Sequence, residues 1–595
     1  MKFKTVFMLF PLLILLIPAP AFSKNAPHAS PKTVIGVILP FSSAFEKIAI
    51  EQRNAIDIAL AEFDHVEVIY KDGRDDGAGA VAAFHELAEM ENPPTAIISC
   101  ASWASDALHP LAAEKGIFHI AIGSAIINRT EARHTVRFTI DAKQEERQLA
   151  EYLSRFNRIA IFNMDNSYGN NWAEILKNNF SEKIVASIAY DPTRKDFRPE
   201  LAHIKGKNPD VLVLLSADNA GGIARQAREV GISAQFVGTR PIERPELLEE
   251  PEYTNGLVYT YPSHSFRHHL IVDYKTAHGI TPTIFGIEGY DAMMTLAQAL
   301  TEGNRSPEAL FDWYAGRTYT GALGEVQFDE KGDAGYPYMY KQIVDGRFRI
   351  AEFQFALLLE KTRQQIDTVF REMAEGVEKT ARALSSAGIK GEEAKKALQV
   401  LFEKNEHAFD CATVDSKGVI VSVAPEKFGY LLGMDTSREE HIRRLHATRK
   451  PVFSLAIATV EGFSGFDLQH PVFNRRGVFT GSVGMLTKPD FFDRIITPKV
   501  ANFPVEIWMI QKDGRMIYDI NKEEIGQNLF TDEIYAGYPS LLKLGRKMAT
   551  APQGNGQYQF LDKKFDKTVT KNVIWSTVAL HGTEFRLALA WIEND

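Results

Sequence analysis

Cysteine is almost absent: the 595 residues contain only Cys100 and Cys411. They lie in "IISCAS" and "FDCATV", core-edge patterns in what read as different domains. Two distant cysteines exclude a disulfide framework. They could pair in an oxidising compartment, but buried free thiols are expected, and no cysteine–histidine spacing suits a metal. Positive charge is outnumbered, 67 lysines and arginines against 76 acids. The net charge is −9 and no dense basic run occurs, which argues against a nucleic-acid partner. Beyond the N-terminal segment nothing approaches the roughly 18 apolar residues of a membrane span. Catalytic signatures are missing too: there is no nucleophile elbow, zinc triad, phosphate-binding loop or clean GxGxxG. The 16 histidines are scattered. His264, His268 and His269 lie close in "SHSFRHHL", but neighbouring histidines point different ways on a helix, and a solvated face is expected in place of a metal site. No metal, no cofactor and no enzymatic activity are expected.

What is present begins with length. A chain of 595 residues is too long for one core, and three or four domains are expected. Apolar content of 45% and charged content of 24% are ordinary for a soluble globular protein. The N-terminus reads "MKFK", then the apolar "TVFMLFPLLILLIP", then "APAFSK", with Ala21 and Ser23 at −3 and −1 of a possible cut. That is the anatomy of a secretory signal peptide over residues 1–23. An uncleaved anchor is the alternative, disfavoured by the short run and by Pro11 and Pro18. No cysteine lies near the cut, so a lipoprotein tether is not indicated. The mature protein is expected to be exported, periplasmic or otherwise extracytoplasmic.

From Lys32 short buried strands alternate with helical periodicity. "TVIGVILPF", "VEVIYKD", "TAIISCAS" and "IFHIAIGS" are separated by "EKIAIEQRNAIDIALAEF", "GAVAAFHELAEM" and "DALHPLAAEKG". The alternation restarts at "EERQLAEYLSRF" and "RIAIFNMD" and runs to "AQFVGT". Such alternation means parallel βαβ units, and two runs of similar length suggest two lobes. Ligands bind such sheets beyond the carboxyl ends of the strands. Those ends are "CASW" (100–103), "GSA" (123–125), "MDNSYG" (164–169), "SADN" (216–219) and "TRP" (239–241). Small residues let a ligand approach backbone N–H groups, and serine hydroxyls can bond a carboxylate. The same residues also serve as ordinary helix caps and turns.

"VIGVILPFSSAF…EQRNAIDIALAEF", "MDNSYGNNWAEILKNNF", "DFRPELAHIKGKNPDVLVLLSADNAGGIARQAREVG", "EGYDAMMTLAQAL" and "YTGALGEVQFDEKGD…YMYKQIVDGRF" resemble the type I periplasmic substrate-binding proteins. The similarity is to the leucine/isoleucine/valine-binding branch of ABC transporter receptors. It covers roughly residues 33–353 and implies two α/β lobes that close on a small ligand about a hinge of three crossings. It implies that Ser102, with Gly123, Ser124 and Ala125, holds a ligand carboxylate, and that Tyr168, from the other lobe, covers the ligand's apolar part. Trp103 is either a pocket wall or a lobe-surface aromatic. One position departs from the family pattern. Where the family places an acid after "F-x-G" to pair the ligand's ammonium, "FVGTRP" has Arg240, and an arginine cannot pair a cation. Either Asp218 takes the ammonium, or the ligand is an anion that Arg240 and Ser102 would suit. Alternatively Arg240 points to solvent or pairs Glu243.

The second half repeats a phrase. "DSKGVIVSVAPEKFGYLLG" (Asp415–Gly433) and "QKDGRMIYDINKEEIGQNL" (Gln511–Leu529) both run from a polar turn with a glycine into an apolar strand, then a charged turn and another glycine. They follow a long helical stretch with Ile366, Val369, Phe370, Met373 and Val377 on one stripe. Each opens a set of short strands with polar hairpin turns and one inserted helix, a PAS-like α+β module. The arrangement resembles the double Cache domain, an extracytoplasmic small-molecule sensor: a helical connector over 354–408, a first module over 409–500 and a second over 501–595. The paired Trp-Tyr of amino-acid-binding Cache domains is absent from "HIRRLHATRKP". Arg443, Phe453, Phe466 and Asp467 are candidate pocket groups of this part, each with a structural role as the leading alternative.

The chain is therefore expected to be an exported solute-binding receptor for an amino-acid-like or carboxylate ligand. It would pass the ligand, or the signal of its binding, to a membrane partner: a sensor kinase, a chemoreceptor or an ABC permease. A ligand-free adhesion scaffold, or sensing by the Cache part alone, are the alternatives.

Overall fold

The computed structural model describes residues 32–42, 45–124, 133–138, 142–216, 219–266, 268–335, 337–459, 462–562 and 567–592. The signal peptide expected over residues 1–23, Ala125 and Asp218 lie outside them. Among the described residues no helix is long and apolar enough to cross a membrane.

The first sheet has five parallel strands in the spatial order Val66–Asp72, Thr33–Leu39, Ala96–Cys100, Phe118–Ile122 and Thr135–Phe138. The second has seven, in the order Arg347–Ile350, Tyr338–Val344, Val258–Pro262, Gln235–Gly238, Val211–Leu215, Ile159–Met164 and Ile184–Tyr190. Its last five strands are parallel, and the two formed latest in the chain are antiparallel additions. Central strands such as "AIISC", "FHIAI" and "VLVLL" are buried along their whole length. Helices cover both faces of such a sheet, so no position can be polar for solvent's sake.

The chain passes between the two sheets three times: after Phe138, after Pro262 and before Tyr338. After the second passage the helix Ile284–Thr301 returns to pack on Glu46–Leu60 of the first lobe. The first and third passages are clamped together. Arg137 donates from Nε and Nη2 to the two carboxylate oxygens of Asp333 at 2.9 and 2.8 Å, the bidentate geometry that fixes direction as well as distance.

A 36-residue helix, Glu352–Ala387, leads into the second half. Its buried face includes the expected stripe Ile366, Val369, Phe370, Met373 and Val377. Phe370 meets Phe453 of the first module at 5.3 Å and Phe585 of the second at 6.5 Å between ring centroids. One helix thus closes the cores of both modules. Both sheets are antiparallel and follow the same path. The first runs Ile420–Ala424, Asp410–Asp415, Phe479–Thr487, Ser464–Phe473, Val452–Phe453, and the second Met516–Asp519, Val505–Gln511, Thr583–Ile592, Lys567–Leu580, Gly554–Asp562.

The repeated phrase encodes the opening hairpin of each sheet. Asp415 Oδ1 accepts from the N–H groups of Lys417 and Val419, and Asp513 Oδ1 accepts from that of Arg515. Gly418 and Gly514 follow at φ +89° and +92°, a conformation glycine adopts without steric cost. The later glycines return the chain to the same strand: Gly433 donates to Ile420 O and Gly526 to Met516 O, both at 2.9 Å.

The two halves touch at a defined point. Asn502 Nδ2 donates to Leu323 O at 3.3 Å. A Cβ on the neighbouring Gly324, at φ +83°, would lie 1.9 Å from Asn502 Oδ1.

Candidate ligand-binding site

The carboxyl ends of the two sheets face one another, and each carries backbone that only small residues permit. At the end of Ala96–Cys100, Ala101 adopts φ +79° and ψ 149° before the helix Ser102–Lys115 begins. A non-glycine residue there costs on the order of 1–3 kcal/mol and persists where its surroundings demand it. Ser102 opens the helix half-buried, and Trp103 packs its ring 5.3 Å from Phe45. At the next strand end Gly123 has φ +58°, and a Cβ there would sit 3.2 Å from Cys100 Sγ. Ser124 is fully buried. In the opposite lobe Asn166 caps the helix Ser167–Phe180 by accepting from Gly169 N at 2.9 Å. A Cβ on Gly169 would stand 2.1 Å from Met164 O. Glycine at that position lets the helix start tight against the strand end and positions Tyr168, whose hydroxyl meets Thr239 Oγ1 at 2.5 Å.

Arg240 sits at the centre. Its side chain is only 11% exposed, and its Nη1 lies 3.8 Å from Oε1 of Glu288, which is fully buried. The other oxygen of Glu288 accepts from Gly123 N at 3.0 Å. The Arg240 guanidinium also lies over the Phe285 ring at 5.7 Å. Arg240 belongs to the second lobe, and Glu288, Phe285 and Gly123 to the first, so this contact spans the cleft. On its own side, Arg240 donates its backbone N–H to Glu145 Oε1 at 3.4 Å, and Thr260 Oγ1 donates to the same oxygen at 2.7 Å. Burial pushes the Glu145 carboxyl above its ordinary range, and the Arg240 charge and the Thr260 hydrogen bond pull it back.

Two carboxylates therefore flank one guanidinium in a region shielded from water, where charge interactions are strong. Burial also raises the Tyr168 phenol, with the Glu145 charge adding to it, and pushes the Cys100 thiol up to about 12. Both cysteines are free and buried. The helix that carries Phe285 and Glu288 is anchored by Glu51, whose Oε1 accepts from Thr283 Oγ1 at 2.7 Å and from Gly286 N at 3.1 Å.

Of the residues expected from the sequence, Gly123 and Arg240 are joined through Glu288, and Tyr168 is tied to Arg240's neighbour Thr239. Arg240 neither points to solvent nor pairs Glu243. Glu243 instead accepts from the Tyr259 hydroxyl and pairs Lys341 at 2.6 Å. Glu145, Glu288 and Phe285 were not singled out from the sequence. The available signal was a pair of carboxylates, Glu288 and Asp291, inside the mainly apolar "TIFGIEGYDAMM". His268 accepts from Leu270 N at the start of its helix, and His264 is buried, its imidazole pushed down to about 4. Among the described residues there is no cluster of histidine, cysteine and acidic groups that could hold a metal.

The candidates in the second half separate likewise. Phe453 and Phe466 stack on one another at 5.6 Å within the core shared with Phe370. Arg443 is exposed. Asp467 lines a cavity of about 80 Å³ in the first module, where it accepts from Gln469 and pairs His441 at 2.9 Å.

Residues 32–347, more than half of the chain, match the periplasmic binding protein family. Residues 368–489 match the sensor domain described as HK/GC/chemotaxis protein-like. Among curated proteins the chain is similar to the leucine-, isoleucine-, valine-, threonine- and alanine-binding protein of Pseudomonas aeruginosa. The two are 23% identical over 194 residues, covering 29% of this chain and 50% of that protein. The chain thus spans about half the length of that curated relative. Among solved structures it is similar to an extracellular ligand binding receptor from Desulfohalobium retbaense: 48% identity, 94% of this chain, 100% of that one, TM-score 0.55. A leucine binding protein from Thermotoga maritima is 24% identical over 54% of this chain and 97% of its own, with a TM-score of 0.49.

Proposed function

The chain belongs to the periplasmic binding protein family, and from that premise we propose that it is an extracytoplasmic receptor whose two lobes close on a small amino acid. The observation that carries the reading is the Arg240–Glu288 contact across the cleft, with Glu145 behind it. An α-amino acid carries one charge of each sign. Arg240, with Ser102, Ser124 and the backbone of Gly123 and Ala125, suits its carboxylate. Glu288 and Glu145, aided by Asp218, suit its ammonium. Tyr168 and Trp103 then border the side chain, where aromatic surface favours an apolar one. Glu288 then takes the role that the resemblance gives to an acid at position 240. The relatives named for branched-chain amino acids support the same ligand class.

Closure follows from differential contact. A ligand that touches both lobes favours the closed arrangement by the interactions it makes only there. The sensor-type domain behind the cleft favours passing that closure as a signal, through a membrane-bound kinase or chemoreceptor, over delivery of the ligand to an ABC permease. An N-terminal signal peptide over residues 1–23 would place the receptor outside the cytoplasm.

A second reading has one observation in its favour: the guanidinium of Arg240 stands where a simple carboxylic acid would need it. The two readings part in a thermal-shift screen of amino acids against their deaminated acids. A ligand at 100 times its Kd adds about 2.7 kcal/mol of stability. The amino-acid reading expects the amino acid alone to raise the melting temperature, and expects Glu288→Gln to abolish the shift. A shift by the deaminated acid that survives Glu288→Gln establishes the second reading instead.

A further inference from the structure

The second module, outside both matched families, encloses a cavity of about 230 Å³ on the concave face of its sheet. Among its described lining residues three carboxylates, Glu506, Asp519 and Glu524, stand against one cation, Lys571. That cation is engaged: Lys571 Nζ lies 2.6 Å from Glu506 Oε2 and 4.5 Å from the centre of the Phe560 ring. Two carboxylates remain in excess. Asp519 is 9% exposed and accepts from Asn521 N at 2.7 Å, while Glu524 accepts from the Tyr535 hydroxyl at 3.0 Å. Trp508, Tyr535, Tyr558 and Phe560 contribute rings to the same walls.

Ring faces are electron-rich and attract cations, most strongly where water is excluded. Carboxylates in excess over ammonium do the same by charge. The geometry points to a second ligand site here, for a small organic cation, an amine or quaternary ammonium, held between Asp519, Glu524 and the four rings. The cavity falls below the roughly 300–1,000 Å³ of sites for drug-sized molecules, so the cation is small. The first module shows the same fold with carboxylates, Asp410, Glu439 and Asp467, but without the rings. Its cavity is about 80 Å³, has no phenylalanine, tyrosine or tryptophan among its lining residues, and is crossed by the His441–Asp467 pair.

Protonation supports the assignment. Burial pushes the Asp519 carboxyl up to about 7, with Glu524 and Glu506 adding to the shift and the Asn521 N–H and Lys571 opposing it. Among the described residues the other titratable groups that feel its charge are the Tyr518, Tyr535 and Tyr558 hydroxyls. A bound cation favours the ionised carboxylate, so affinity rises as pH rises through 7.

The test is calorimetric titration of the purified protein with tetramethylammonium and 1-butylamine, with butyrate as the matched anion. The expected result is binding of one cation per chain, at least several-fold tighter at pH 8 than at pH 6, and no binding of butyrate. Glu524 is only half-buried, so Glu524→Gln keeps the fold and is expected to weaken cation binding about tenfold. Asp519→Asn should remove the pH dependence, and Glu288→Gln, in the interlobe cleft, should leave cation binding unchanged. The inference is overturned if neither cation binds at millimolar concentration or if butyrate binds instead. It is equally overturned if cation binding is lost in Glu288→Gln and kept in Glu524→Gln, which places it in the cleft.

Discussion

The interlobe cleft and the second-module cavity are built on the same electrostatic plan, one buried cation among more numerous carboxylates, yet they differ in what occupancy can do. In the cleft the partners belong to different bodies: Arg240 comes from one lobe and Glu288 from the other. Anything that exchanges with that contact changes how the lobes sit. In the second module Lys571, Glu506 and Asp519 all project from one antiparallel sheet. Occupancy there changes stability and protonation far more than shape. A split site converts binding into motion, and a site within one sheet converts it into population.

The largest expected effect breaks the cleft alone. Arg240→Ala leaves Glu288 and Glu145 buried without their guanidinium. It should cost about 3–5 kcal/mol in urea unfolding, the range for removing one partner of a buried pair, and abolish amino-acid binding while the second module is untouched. Next comes the joint between the regions. Gly324→Ala places a Cβ against Asn502 at positive φ. It should cost about 1–3 kcal/mol and make the two halves melt in separate calorimetric transitions, where the parent protein shows more closely coupled ones.

An effect that is smaller per pH unit sharpens the second site. The Asp519 carboxyl lies at about 7 in the folded chain against an ordinary 3.8. Raised in this way, it contributes stability that is full below pH 4 and is lost as pH rises through 7. Across that window the protein should lose up to about 1.4 kcal/mol per pH unit relative to Asp519→Asn, measured as the difference between their urea-denaturation profiles. The smallest effect is at Tyr168. Tyr168→Phe removes the Thr239 hydrogen bond and should cost about 1 kcal/mol of stability, with the cleft still able to bind its ligand.

Much of the architecture was legible in the sequence because its causes are local. Runs such as "VLVLL" bounded by turns can only be buried strands, and Gly418 and Gly514 announce their hairpins through the φ they supply. The same holds for the stripe on the long helix. The sites were less legible because their causes are distant. Gly123 and Arg240 could be named from strand ends, but the acid that joins them, Glu288, lies 165 residues from Gly123. It sits in a helix where periodicity reads a carboxylate as solvent-facing. Glu243, close in sequence, was the obvious partner for Arg240, yet Lys341 and Tyr259 engage it. The rings around Asp519 come from three elements that only the folded module assembles: Trp508 from one strand, Tyr535 from a short turn of helix, and Tyr558 and Phe560 from another strand.

The account rests most directly on the claim that the cleft recognises both charges of an amino acid. The decisive measurement is calorimetric titration of the protein with leucine, 4-methylpentanoate and 3-methylbutylamine, repeated on Glu288→Gln. The account predicts that leucine binds in the cleft and 4-methylpentanoate does not, that 3-methylbutylamine is held only at the second-module site and is indifferent to Glu288→Gln, and that Glu288→Gln weakens leucine at least tenfold. Binding of 4-methylpentanoate as tight as that of leucine, indifferent to Glu288→Gln, would contradict it.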